Sequence, residues 1–170
     1  MGDNASLVQA LKKAGQTIAT CESLTAGLLA ATIAEVPGAS AVLRGGLITY
    51  ATELKHDLAG VPAEVLEAVG PVSPECAEAM ALGARRACGA DWAVSLTGVA
   101  GPDPQDGHPV GEVWCGIASA DGVRSTRLGA GGLLAGARDE IRRESVREAI
   151  CLLVAAIEAS GTKSAGESLG

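Results

Sequence analysis

Two short runs, Thr17-Ile-Ala-Thr-Cys21 and Asp91-Trp-Ala-Val-Ser-Leu-Thr97, constrain the fold more than any other part of the chain. Both read as strands buried on both faces, because apolar and small side chains follow one another without a solvent-facing alternation. Each leads into a turn rich in hydroxyls or glycine, Glu22-Ser23-Leu24-Thr25-Ala26-Gly27 and Gly98-Val99-Ala100-Gly101-Pro102-Asp103. Strands of this kind need helices above and below them, and the flanking sequence supplies candidates. A helix is expected over 6–13, with Leu7 and Leu11 inward and Gly15 as its stop, and another from the first turn to about Ala34. A third strand of about four to six residues runs through Leu47-Ile48-Thr49-Tyr50, and helix formers follow from Ala51 to Leu58. A short helix ends near Val69. Ser73-Pro74-Glu75 opens a longer one to about Cys88, with a capping serine and proline in the first turn. Strands over 110–118 and 122–128 flank an Asp121-Gly122 hairpin, and a last helix spans about 137–159. This order predicts an α/β fold, a three-layer α/β/α sandwich with a mixed sheet of about five strands. It fits one domain over residues 1–160 and a flexible tail over 161–170.

Composition narrows the function. Apolar residues make up 48% and charged residues 19%, which suits a globular chain. The net charge of −7 argues against general nucleic-acid binding, which depends on Lys and Arg neutralising phosphates. Five cysteines, at 21, 76, 88, 115 and 151, form no C-x-x-C and no zinc-spaced set with histidine. They read as reduced buried thiols, so neither a metal nor a cofactor is expected. No apolar run reaches membrane-spanning length and no signal peptide is evident, so a cytoplasmic protein without membrane contact is expected. A homo-oligomer is also expected, although nothing in the sequence specifies its state.

Candidate chemistry collects in Val36–Lys55, where Ser40, Tyr50 and Lys55 offer a hydroxyl, a phenol and an amine. A serine is a poor nucleophile until a base takes its proton, and a lysine serves only if its pKa is lowered. The bland alternative is a turn serine, a strand tyrosine and a solvated lysine. Ser23 lies at a helix N-terminus suited to an anion, or is simply its cap. Gly98 and Gly101, beside Thr97, let a backbone approach a ligand closely. Arg138, Arg142, Arg143 and Arg147 start the last helix, and one of them could clamp a phosphate. There is no P-loop, no G-x-S-x-G and no H-E-x-x-H. Tyr50 and Lys55 lack the Tyr-x-x-x-Lys spacing of short-chain dehydrogenases.

The motifs ATCESLTAG, VPGASAVLRGGLITYATELK, GPVS, SLTGVAGPD, PVGEVW and GARDEIRRESV, in that order over residues 5–158, resemble the C-terminal domain family of the competence/damage-inducible protein CinA. The resemblance implies a stand-alone nicotinamide-nucleotide amidohydrolase, converting nicotinamide mononucleotide and water to nicotinate mononucleotide and ammonia. By the same resemblance Ser40 is the nucleophile, Tyr50 and Lys55 are its proton-transfer partners, and Ser23, Thr97, Gly98, Gly101 and Arg142 contact the small nucleotide substrate. A nucleotide-binding regulatory module without turnover is the alternative, and a Cys21 nucleophile helped by Glu22 and Lys55 a further one. The chain departs from the family pattern at Leu24-Thr25-Ala26, Asp103-Pro104-Gln105 and Ala137.

Overall fold

The structure, a computed structural model, describes residues 3–167. Five strands make one mixed sheet in the order β2-β1-β3-β4-β5. They are β1 (Ile18–Glu22), β2 (Leu43–Ile48), β3 (Trp92–Gly98), β4 (Val113–Ser119) and β5 (Gly122–Arg127). β1 runs parallel to both β2 and β3, whereas β4 and β5 join antiparallel through a two-residue turn at Ala120-Asp121. Six helices accompany them: α1 (Asp3–Ala14), α2 (Leu28–Ala34), α3 (Thr52–Asp57), α4 (Ala63–Val69), α5 (Pro74–Cys88) and α6 (Arg138–Glu167).

The two central strands sort their side chains by parity. Ile18, Val94 and Leu96 join Leu7, Leu11, Leu29, Ile33, Ile141, Ile150 and Leu153 from α1, α2 and α6 on one face. Ala19, Cys21 and Ala93 face Cys76, Met80 and Ala84 of α5 on the other. This is the expected α/β/α sandwich. Burying each large aliphatic side chain of the first cluster contributes about 2 kcal/mol.

The second face is thin because its residues are small. Ser95 Oγ donates to the Ala77 carbonyl at 2.5 Å, so α5 lies almost on the sheet. Gly83 shows how close the packing is: a Cβ there would sit 1.7 Å from the Ala59 carbonyl oxygen. Gly83→Ala must therefore displace backbone, and a loss of about 3 kcal/mol in urea unfolding is expected. A loss below about 0.5 kcal/mol would mean that the Ala59 turn yields freely.

Of the boundaries that differ from expectation, two have a clear physical reason. The third strand is Leu43–Ile48 and ends two residues before Tyr50. Gly45 and Gly46, expected to precede it, lie inside it, and Gly46 makes room for Thr20 Oγ1 of the neighbouring strand, 2.3 Å from where its Cβ would be. α6 continues past Ala159 to Glu167, so the tail expected from 161 begins as helix. One glycine weakens a helix by only about 1 kcal/mol and no proline follows Ser160 to end it. Residues 168–170 lie outside the described residues.

Candidate active site

Because β1, β2 and β3 are parallel, their C-terminal ends share one edge of the sheet, where ligands of open α/β folds gather. The 23–27 turn, the 49–51 connection to α3 and the loop after Gly98 all leave from that edge. They enclose a cavity of about 130 Å3 lined by Ser23, Tyr50, Lys55, Thr97, Asp103 and Arg138, among others.

At its floor Lys55 is only 2% exposed. Its Nζ donates to Ser23 Oγ at 3.0 Å and to the Thr49 carbonyl at 2.8 Å. No carboxylate pairs with it among the described residues. Burial holds its amine below the ordinary value of 10.5, because the loss of hydration on charging it outweighs the opposing pull of the Glu53 carboxylate. Cys21 and Cys76 lie near it, but burial pushes their thiols up to about 12 and about 11, so they stay neutral. Tyr50 is 54% exposed at the mouth, where its hydroxyl accepts from Arg138 Nη2 at 2.8 Å. Arg138 Nη1 donates to the Gly101 carbonyl, tying α6 to the loop after β3. Thr97 Oγ1 donates to the Pro71 carbonyl at 2.6 Å. Gly98 is required by close packing, since a Cβ there would lie 2.3 Å from the Glu112 carbonyl oxygen.

Of the residues singled out in the sequence, Ser23, Tyr50, Lys55, Thr97, Gly98 and Gly101 come together here. Ser40 does not. It is exposed in a 3-10 turn, Ala39–Ala41, that precedes β2. The six residues of β2 then separate it from the site by roughly 20 Å along the strand direction. Arg142 is also displaced from its expected role. Its Nε and Nη2 donate to the carbonyls of Leu24 and Thr25 at 2.9 and 3.0 Å, so its guanidinium braces the serine turn from behind. The arginine at the cavity is Arg138, one helical turn earlier. Cys21 is fully buried and does not line the cavity, which with its raised pKa leaves it unsuited as a thiolate nucleophile.

A profile of the CinA C-terminal domain matches residues 3–157. The chain belongs to the CinA C-terminal domain family. It is 44% identical over 147 residues, 86% of its length, to a competence-damage inducible protein of Streptococcus pneumoniae, and covers 34% of that protein. A protein of the same description from Listeria welshimeri is 52% identical over 102 residues, 60% of this chain and 25% of that one. The chain thus spans about a third or less of the length of these curated relatives. Among solved structures, a CinA superfamily protein from Klebsiella pneumoniae superposes with a TM-score of 0.87 at 28% identity, covering 92% of this chain and 96% of that one. A competence/damage inducible protein from Agrobacterium tumefaciens gives 0.83 at 35% identity, covering 91% and 96%.

The CinA-type site has a support that the sequence gives little sign of. α2 begins after Gly27, which has no side chain to cap it. Glu22, 1% exposed, reaches over from β1 and accepts from the Leu29 and Ala30 N–H groups at 2.8 and 3.0 Å and from Thr20 Oγ1 at 3.2 Å. It satisfies orphan donors of the first turn and thereby fixes the ends of the turn that carries Ser23. An acid seven residues before a helical leucine is the only trace of this in the sequence. Glu22→Gln keeps one acceptor oxygen and turns an NH2 on a helix N–H, so urea unfolding should show a loss of about 2 kcal/mol. No change in stability would mean that water caps α2 equally well.

Proposed function

We propose that the chain is an amidohydrolase that converts the carboxamide of nicotinamide mononucleotide to the carboxylate of nicotinate mononucleotide with release of ammonia, in cytoplasmic pyridine nucleotide salvage. The contact of Lys55 with Ser23 carries this reading: a buried amine without a carboxylate hydrogen-bond partner among the described residues lies 3.0 Å from a serine hydroxyl at the base of the pocket. Family membership supports it. Ser23, rather than Ser40, is the nucleophile in this account.

With the amine neutral, the hydrogen bond reverses and the hydroxyl donates to the Nζ lone pair. Ser23 Oγ attacks the carboxamide carbon as its proton passes to Lys55. The N–H groups of Ala100 and Gly101, both residues of the cavity lining, supply stabilisation for the oxyanion. The C–N bond then breaks, Lys55 returns the proton to the leaving nitrogen, and ammonia departs from a Ser23 acyl ester. Water attacks the ester while Lys55 accepts its proton. Collapse releases the carboxylic acid and restores the serine hydroxyl. Arg138 supplies positive charge for the 5′-phosphate at the mouth.

The test is ammonia release from nicotinamide mononucleotide, measured with EDTA present. Turnover that survives EDTA is expected, because a side chain serves as the base. Binding of the nucleotide without release would favour a regulatory module of the same fold.

A further inference from the structure

The loop between Gly101 and Pro109 brings a carboxylate to the cavity that the chemistry above does not use. Asp103 and Gln105 both line the cavity. The loop is held at both ends. Arg138 binds the Gly101 carbonyl at one, and His108 Nδ1 lies 3.1 Å from the buried Glu112 at the other. Between them, Gln105 and His108 exchange backbone hydrogen bonds of 3.1 and 2.8 Å across an Asp106-Gly107 turn. Both turn residues have positive φ, 49° and 80°. Asp103 is thus presented on a braced loop, yet its carboxylate makes no hydrogen bond or ion pair with any described residue. Arg138, the cation at the same mouth, is already shared between Gly101 and Tyr50.

The enclosed space of about 130 Å3 is smaller than the roughly 300–1,000 Å3 usual for a whole small-molecule site. It takes the reacting carboxamide end, and the rest of the ligand crosses the mouth between Arg138 and Asp103. A carboxylate only accepts hydrogen bonds, and its two oxygens match two neighbouring O–H donors. It also repels a phosphate, which leaves the phosphate to Arg138. Resting on the nucleotide reading above, we infer that Asp103 is a specificity residue that accepts hydrogen bonds from the vicinal hydroxyls of the ligand's sugar. The site therefore selects ribosyl substrates whose cis-diol is free.

The test compares kcat/KM for nicotinamide mononucleotide and its 2′,3′-dideoxy analogue in the wild type, Asp103→Asn and Asp103→Ala. The wild type should favour the ribosyl substrate by about 10- to 100-fold, the range for hydrogen bonds to a charged group. Asp103→Asn should keep part of that preference, and Asp103→Ala should bring the two substrates within about threefold. A wild type without preference, or a preference that survives Asp103→Ala, would overturn the inference. So would an equal loss on both substrates, which would mean that Asp103 acts on the charge of the pyridinium ring. If the wild type releases no ammonia from either, the same comparison is made by calorimetric binding of the two compounds. A ribosyl preference lost in Asp103→Ala then supports the role of Asp103 while the hydrolase reading fails. Binding without that preference, or no binding, overturns it.

Discussion

Replacing Lys55 with methionine should lower the turnover of nicotinamide mononucleotide by about 10³-fold, the middle of the range for losing a general base. Methionine preserves the unbranched length and the apolar burial but offers no lone pair to Ser23. The same substitution has a second signature in stability. Burial lowers the folded-state pKa of Lys55 below its ordinary 10.5. Between the lowered value and 10.5 the unfolded chain binds more protons than the folded one, so wild-type stability rises with pH across that window. Below the lowered value the full penalty is present, and above 10.5 it is gone. Lys55→Met has no such group. The stability difference between variant and wild type should therefore shift in favour of wild type as pH is raised from 7 towards 10.5, as followed by urea unfolding at each pH. A difference that stays constant with pH would mean that Lys55 keeps an ordinary pKa and is a poor base. Activity follows the same proton: kcat/KM of the wild type should rise with pH through the lowered pKa, as the amine loses its charge.

Much of the architecture was legible because a few segments had no other reading. Thr17–Cys21 and Asp91–Thr97 are too apolar to face water, and Ser73-Pro74-Glu75 opens α5 with its serine accepting from the Cys76 N–H at 3.1 Å. The site was legible in part. Lys55 and Tyr50 follow β2 directly, so any strand drawn before them puts them at its C-terminal end. A strand drawn over Leu47–Tyr50 misplaces Ser40 because it starts four residues too late. Drawn from Leu43, it carries Ser40 to the opposite edge of the sheet. The choice between Arg138 and Arg142 could not be read from spacing, since residues four apart share a helical face. The carbonyls of Leu24 and Thr25 decide it by occupying Arg142, and they arrive from a turn more than a hundred positions away. Glu22 was hidden for a similar reason. An acid at the end of a buried strand shows its role only once the start of α2 lies within reach of both carboxylate oxygens.

The serine beside the buried amine decides the chemistry. Ser23 is within hydrogen-bond distance of Lys55, and Ser40 lies at the far end of the neighbouring strand. The most direct measurement is ammonia release from nicotinamide mononucleotide by wild type, Ser23→Ala and Ser40→Ala, each checked for nucleotide binding by calorimetry. Ser23→Ala should bind the nucleotide yet lose at least about 10³-fold in kcat, whereas Ser40→Ala should stay within about threefold of wild type. Normal turnover by Ser23→Ala together with its loss in Ser40→Ala would contradict the account and place the reaction away from the Ser23–Lys55 cavity.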